Sequence, residues 1–209
     1  MKYRTRTPTG DREIEVILPS IPYRAFVSGG FDSAVMLYML CKEAIAEKQD
    51  TVYAVVVDRG PELGAVEFSK QVCQWATEKT GIKVDLLVVE APDGIHHSEY
   101  VKKPGYKLIE QGYVLISADT QNPPDVTLPG LAPVRIPPNF EHDWWQHPFS
   151  AVDKSHTVFL AKYFRILDDI SRITHTCTAS PDVRCGECWQ DHERAWAFKV
   201  LGYEDPGQY

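Results

Sequence analysis

The tract Val27-Ser28-Gly29-Gly30-Phe31-Asp32-Ser33-Ala34 sets two glycines, two short hydroxyls and a carboxylate between an apolar stretch, Tyr23-Arg24-Ala25-Phe26, and a helical-looking run, Val35-Met36-Leu37-Tyr38-Met39-Leu40. A strand that turns through glycines into a helix presents backbone N–H groups and the positive end of the helix dipole, a setting that suits a phosphate. Gly29 and Gly30 can take φ > 0 and let an anion approach the backbone, while Ser28 and Ser33 supply hydroxyl donors. Asp32 repels phosphate unless a divalent cation lies between them or the aspartate caps the helix instead. The tract has no Gly-Lys-Ser/Thr ending, so it is not a Walker A loop. The competing account is an ordinary glycine turn with a Ser or Asp cap.

A second group of reactive side chains lies near the C-terminus. Cys177 is followed by Cys185-Gly186-Glu187-Cys188. Two cysteines at that spacing around a glycine turn can both reach one tetrahedral Zn²⁺, and Cys177 can add a third thiolate. Asp191, His192 and His175 are within sequence reach as the fourth ligand. A Cys-x-x-Cys can also be a redox pair, but this one is not at a strand-to-helix turn and a third cysteine accompanies it. Cys41 and Cys73 fall inside apolar helical patterns and read as buried small hydrophobes.

The elements that must position these groups follow from periodicity. Residues 1–20 read as a β-hairpin, with Tyr3 to Thr7 extended, a turn at Pro8-Thr9-Gly10-Asp11, and alternation over Glu13 to Ile17. Strands are expected at Tyr23 to Val27, Thr51 to Val57, Lys83 to Glu90 and Gly112 to Ala118, and helices at Ser33 to Glu47 and Glu62 to Thr80. Val66, Val72, Trp75 and Ala76 mark the inner face of the second helix, and Gly81 is placed to end it. Strands separated by helices imply right-handed crossovers and an α/β, Rossmann-like parallel sheet with helices on both faces. Ligands bind such sheets beyond the carboxyl ends of the strands. The Ser-Gly-Gly loop lies at that rim, as do Asp58-Arg59-Gly60 and Asp119-Thr120-Gln121-Asn122. Asp58 is suited to a ribose hydroxyl or to capping a turn, and Arg59 to nucleotide or substrate contact. The tract from Asn122 to Pro148 is rich in proline and carries Trp144-Trp145, His142 and His147. It suits either a lid over the pocket or a surface excursion packed down by its tryptophans.

Bulk properties bound the remaining options. With 209 residues, 44% hydrophobic and 24% charged, the chain is expected to form one domain over 1–209, with residues 174–202 as a small zinc-binding and helical appendage. A formal net charge of −7 argues against general nucleic-acid affinity. No stretch reaches the length of a membrane span and the N-terminus lacks a secretory apolar core, so the expected location is the cytoplasm. Five cysteines, an odd number, fit a reducing compartment and a metal site better than a disulfide framework.

The order Ser28-Gly29-Gly30-x-Asp32-Ser33 resembles the loop of the N-type ATP pyrophosphatases, which cleave ATP to AMP and pyrophosphate to activate a substrate. The C-terminal half narrows that resemblance. Pro148-Phe149-Ser150, Asp153-Lys154, a helix over Val158 to Leu167, Thr174-His175-Thr176-Cys177, the Cys185 to Cys188 knuckle and Arg194-Ala195-Trp196-Ala197-Phe198 look like the tail of the 7-cyano-7-deazaguanine synthases, a family of that superfamily. Order and spacing match over most of residues 23–202.

The resemblance implies an adenine nucleotide alpha hydrolase-like sheet, ATP with Mg²⁺ as cofactors, a four-cysteine structural zinc, and a homodimer. It also implies adenylation of the carboxylate of 7-carboxy-7-deazaguanine, attack by ammonia to give an amide, and a second ATP-dependent step to a nitrile. Carried over by position, Ser28, Gly29, Gly30, Asp32 and Ser33 would hold ATP phosphates with Mg²⁺; Val27 in the same loop, and Asp58, Arg59 and Asp119 on the same rim, are further candidates for cofactor contact. Lys154 would offset charge on pyrophosphate, and Cys177, Cys185 and Cys188 would hold zinc. Lys154 at a helix start is not what the dipole favours, which fits such a role better than a solvated lysine does. The chain departs from the family at its last zinc cysteine, where Asp191 stands. Either Asp191 ligates through oxygen, or His192 swings in, or the metal is lost. A different amidation, a tRNA base modification, or a nucleotide-binding zinc protein without turnover remain as alternatives.

Overall fold

The computed structural model describes residues 1–58, 60, 64–91, 102–124, 143–177 and 184–207. Strands β1 (Lys2–Thr7) and β2 (Gly10–Glu15) form the expected antiparallel hairpin, in register from Lys2 opposite Glu15 to Thr7 opposite Gly10. The chain then builds a separate sheet from β3 (Tyr23–Phe26), β4 (Thr51–Asp58), β5 (Lys83–Glu90), β6 (Val114–Ile116) and β7 (Trp145–Gln146). Its order is β5-β4-β3-β6-β7 and every neighbouring pair is parallel. Successive strands step outward from β3 to β5, and the chain then returns to the other side of β3 for β6. The gap between β3 and β6 is therefore the switch point, where the loops leaving the two strands diverge and open a crevice.

Alternation along the strands explains why both faces are covered. Tyr23, Ala25, Val52, Ala54, Val114 and Ile116 face one core, packed by α1 (Phe31–Ala46) and α2 (Ala65–Thr80). Phe26, Val55, Val57 and Leu115 face a second, smaller core closed by Leu108 of α3 (Lys102–Glu110) and by Trp145. Strands buried on both faces read as apolar runs, as Val55-Val56-Val57 does. Cys41 and Cys73 sit in the larger core, and burial pushes each thiol up to about 12. No helix among the described residues is long and apolar enough to cross a membrane.

The structure differs from expectation in three places. Pro104 and Gly105 mask α3; the proline falls in the first turn, where its missing N–H costs nothing, and the glycine gives Trp145 room, since a Cβ there would lie 2.9 Å from the indole. β7 arises within the Pro/Trp tract, where Trp145 and Gln146 are the two residues that pair among the described ones. The single helix expected over Val158 to Leu167 is two, α4 (Lys154–Tyr163) and α5 (Leu167–Ile173), separated by Arg165 at φ 59°. A left-handed arginine carries no glycine signal, so the break is invisible in an apolar run.

The hairpin docks on α4 through polar groups. The His156 ring, 1% exposed, lies 2.7 Å from Thr5 Oγ1 and 3.2 Å from both Thr7 Oγ1 and Thr9 Oγ1. Burial pushes its pKa down, aided by Arg12 and opposed by Asp153 and Asp11. As pH falls below the ordinary histidine value of about 6.5, the unfolded chain takes up a proton before the folded one, and stability drops. Thermal unfolding from pH 7.5 to 5.5 should show this loss, and His156→Gln should flatten it; an unchanged slope would rule out the histidine as its source.

Candidate functional site

The glycine loop leaves β3 at the switch point. Val27 is fully buried and anchors it, with its N–H donating to Val55 O at 2.9 Å and its carbonyl accepting from Ser69 Oγ at 2.6 Å. Gly29 follows at φ 76°, and a Cβ on it would overlap Phe68 Cβ and reach within 3.1 Å of Ser69 N. Only glycine meets both conditions. Ser33 Oγ donates to Gly30 O at 2.9 Å, accepts from Ser28 N at 3.3 Å, and lies 3.3 Å from Ser28 Oγ. Gly30 is the N-cap of α1 and supplies no side-chain cap, so the amides of the first turn have no side-chain acceptor there.

Asp32 is not a cap either. Its carboxylate lies in the first turn of α1 and accepts from Lys154 Nζ at 2.6 Å and Thr157 Oγ1 at 2.6 Å. Lys154 opens α4, 122 residues further along, where Asp153 caps the helix by accepting from Ser155 N at 2.9 Å. The loop after β6 runs beside this turn, with Gln121 N donating to Val152 O at 2.7 Å, so the start of α4 faces the crevice. A second carboxylate, Glu193 Oε2, lies 3.3 Å from the same ammonium. Thr157 and Glu193 were absent from the sequence expectations. Thr157 stands three residues after Lys154 and becomes legible once the helix is started at 154. Glu193 carries no comparable signal.

Cys177, Cys185, Cys188 and Asp191 place one ligand atom each within 4.8 Å of one another. Tetrahedral zinc with Zn–S bonds of about 2.3 Å would hold its sulfurs about 3.8 Å apart, so this donor set fits. Gly186, at φ 68°, makes the knuckle turn, and Cys185 Sγ accepts from Glu187 N at 3.4 Å and Cys188 N at 3.2 Å. Asp191 is 1% exposed and sits on α6 (Trp189–Val200). Oδ1 accepts from Arg184 Nε at 3.0 Å and Thr176 Oγ1 at 3.0 Å, while Oδ2 lies 3.6 Å from Cys185 Sγ. Burial opposes ionisation of Asp191, but Arg184, Gly186 N–H and Thr176 outweigh it and hold the carboxyl below its usual range.

Neither histidine joins this group. His192 is half-buried and stands outside it. His175 belongs to the loop: its N–H donates to Gly29 O at 3.0 Å and its ring stacks on Phe68 at 4.6 Å.

On the rim, Asp58 Oδ1 accepts from Gly60 N at 2.9 Å and so caps its own turn. Asp119 pairs with His147 Nδ1 at 3.0 Å. Arg59, His142 and most of the Pro/Trp tract lie outside the described residues.

No protein-family model and no curated protein matches this chain. Among solved structures it is similar to the U34-tRNA thiolase NcsA from Methanococcus maripaludis, solved with its 4Fe-4S cluster. The two share 12% identity at a TM-score of 0.49, over 90% of this chain and 71% of that one.

The loop's dependence on Gly29 is open to a direct check. Gly29→Ala combines a left-handed backbone with a clash against Phe68 and should destabilise the fold by about 1–3 kcal/mol in urea unfolding. Gly30→Ala, at φ −84° with its nearest neighbour Ser28 Oγ at 3.3 Å, should cost less. Equal costs would show that the loop is not strained at Gly29.

Proposed function

We propose that this chain is an ATP-dependent carbon–nitrogen ligase of the 7-cyano-7-deazaguanine synthase type. It adenylates the carboxylate of a 7-carboxy-7-deazaguanine-like acid, and ammonia then displaces AMP. The observation that supports this most is the approach of Lys154 to Asp32 across 122 residues of sequence, at the mouth of the uncapped glycine loop. A turn with an ordinary cap would need neither the buried lysine nor the second carboxylate on it.

In this reading the amides after Gly30 and the hydroxyls of Ser28 and Ser33 hold the phosphates. Asp32, a hard oxygen donor, suits Mg²⁺, which would neutralise phosphate charge. Lys154 offsets the charge that grows on the leaving pyrophosphate. The loop fixes the α-phosphorus in line with the acid, and much of the acceleration comes from that positioning. Cys177, Cys185, Cys188 and Asp191 would hold a structural zinc, with Asp191 ligating through Oδ2.

Purified protein with ATP, Mg²⁺, ammonium and 7-carboxy-7-deazaguanine should release AMP and pyrophosphate. Ser33→Ala should slow release by on the order of a hundredfold. Absence of AMP together with no effect of Ser33→Ala would sink the proposal. Release with only another acceptor, a tRNA included, would move the substrate and keep the ATP chemistry. Tight ATP binding without turnover on any acceptor would mark a non-catalytic nucleotide protein.

The metal is tested separately. Elemental analysis should find zinc stoichiometric with the chain, and Cys185→Ser should lose both the zinc and thermal stability. Metal-free wild-type protein, or protein carrying iron instead, would remove zinc from the account.

A further inference from the structure

Glu193 has no place in the family pattern, and the roles assigned above do not use it. Its side chain is 1% exposed, and Oε2 lies 3.3 Å from Lys154 Nζ. Asp32 Oδ2 holds the other side of the same ammonium at 2.6 Å. These two carboxylates differ in what can reach them. Asp32 is 15% exposed at the loop, where an ion accompanying the phosphates would meet it. Glu193 is enclosed, on a helix held by the side chains of Arg194, next to it, and Asp191, two positions before it. Arg194 donates to Asp205 through Nε and Nη2, each at 2.8 Å, and Asp191 is tied to Arg184 and Thr176. Residues two apart on a helix face opposite ways, so one turn of α6 presents Asp191 to the cysteines and Glu193 to the loop.

We propose that Glu193 is the positioning residue of Lys154, holding the ammonium across the loop when Asp32 engages the cation that arrives with ATP, so that Lys154 meets the outer phosphates. This rests on the ATP-site reading. A buried ammonium needs a counter-charge at hand. With Asp32 as its only anchor, Lys154 would follow that carboxylate to the cation and lose its aim at phosphate. Glu193 supplies an anchor that stays in place through binding.

The test is calorimetric titration of ATP with Mg²⁺, and of AMP, into the full-length chain and its Glu193→Gln variant, with folding checked by circular dichroism. Because Lys154 addresses the outer phosphates only, ATP affinity should fall about tenfold while AMP affinity stays within about twofold. Glu193→Asp, which keeps the charge on a shorter arm, should regain part of the loss. Equal losses for ATP and AMP would reduce Glu193 to a packing residue, and unchanged ATP affinity would remove it from the site. Either result overturns the inference and leaves the ATP site standing. Wild-type protein that binds neither nucleotide overturns the site itself, and this role with it. If Glu193→Gln fails to fold, Glu193→Asp decides by the same criterion.

Discussion

A buried cation dictates much of this architecture. Lys154 is 5% exposed, so counter-charges have to be brought to it and held. Asp32 comes from the first turn of α1 and Glu193 from the first half of α6, and the cation itself opens α4. Three helices far apart in sequence are thereby fixed at one point beside the switch of the sheet. The position is also costly for the helix that carries it, since a positive charge opposes the dipole at an N-terminus. Asp153 as N-cap and the two carboxylates offset that cost. The hairpin steadies the same turn from outside, because His156 on α4 binds three of its threonines.

The cysteine cluster is built into this arrangement and does not hang beside it. Thr174 to Cys177 forms one short segment with three consecutive tasks: His175 N–H meets Gly29 O, Thr176 meets Asp191, and Cys177 joins the cysteine–aspartate group. From the cluster a chain of buried ion pairs runs onward, from Asp191 to Arg184, from Arg184 to Asp205 at 2.8 Å, and from Asp205 to Arg194. Removing one member of such a chain strands a buried charge, at a cost of about 3–5 kcal/mol. Arg194 is also capped by the rings of Phe31 and Phe198, at 5.3 and 5.7 Å, and Phe31 is the first residue of α1. The knuckle, the C-terminal tail and the glycine loop thus share one electrostatic frame.

Much of this was legible in the sequence, for identifiable reasons. Two glycines between an apolar strand and an apolar helix fixed the loop, because few local structures accommodate that order. The strand over Lys83–Glu90 is legible at its observed bounds because Gly81 precedes it and Leu86 to Val89 form a continuous apolar run. The cysteine group was legible because ligand spacing is a local property. Failures occurred where tertiary contact overrode local chemistry. α3 tolerates Pro104 because it falls in the first turn and Gly105 because Trp145 packs against it, and the break at Arg165 follows from a left-handed residue that no composition rule marks. Glu193 is not legible in the sequence because its meaning depends on Lys154, thirty-nine positions away and beside it only after folding. Long-range charge pairing leaves no periodicity behind.

Asp191, the carboxylate grouped with the three cysteines, is intelligible as part of the same frame. A thiolate asks little of its surroundings beyond the metal, whereas a buried carboxylate has a second oxygen that must be satisfied. At Asp191 that oxygen is Oδ1, and Arg184 and Thr176 satisfy it. Asp191 therefore brings a fixed anion to the knuckle, and Arg184 answers it while also holding Asp205. A cysteine at 191 would leave Arg184 with one carboxylate in place of two, in a pocket where its own side chain is 3% exposed. The aspartate and the arginine are best understood as one unit. Their joint effect is to tie the cysteine knuckle to the C-terminal tail by charge.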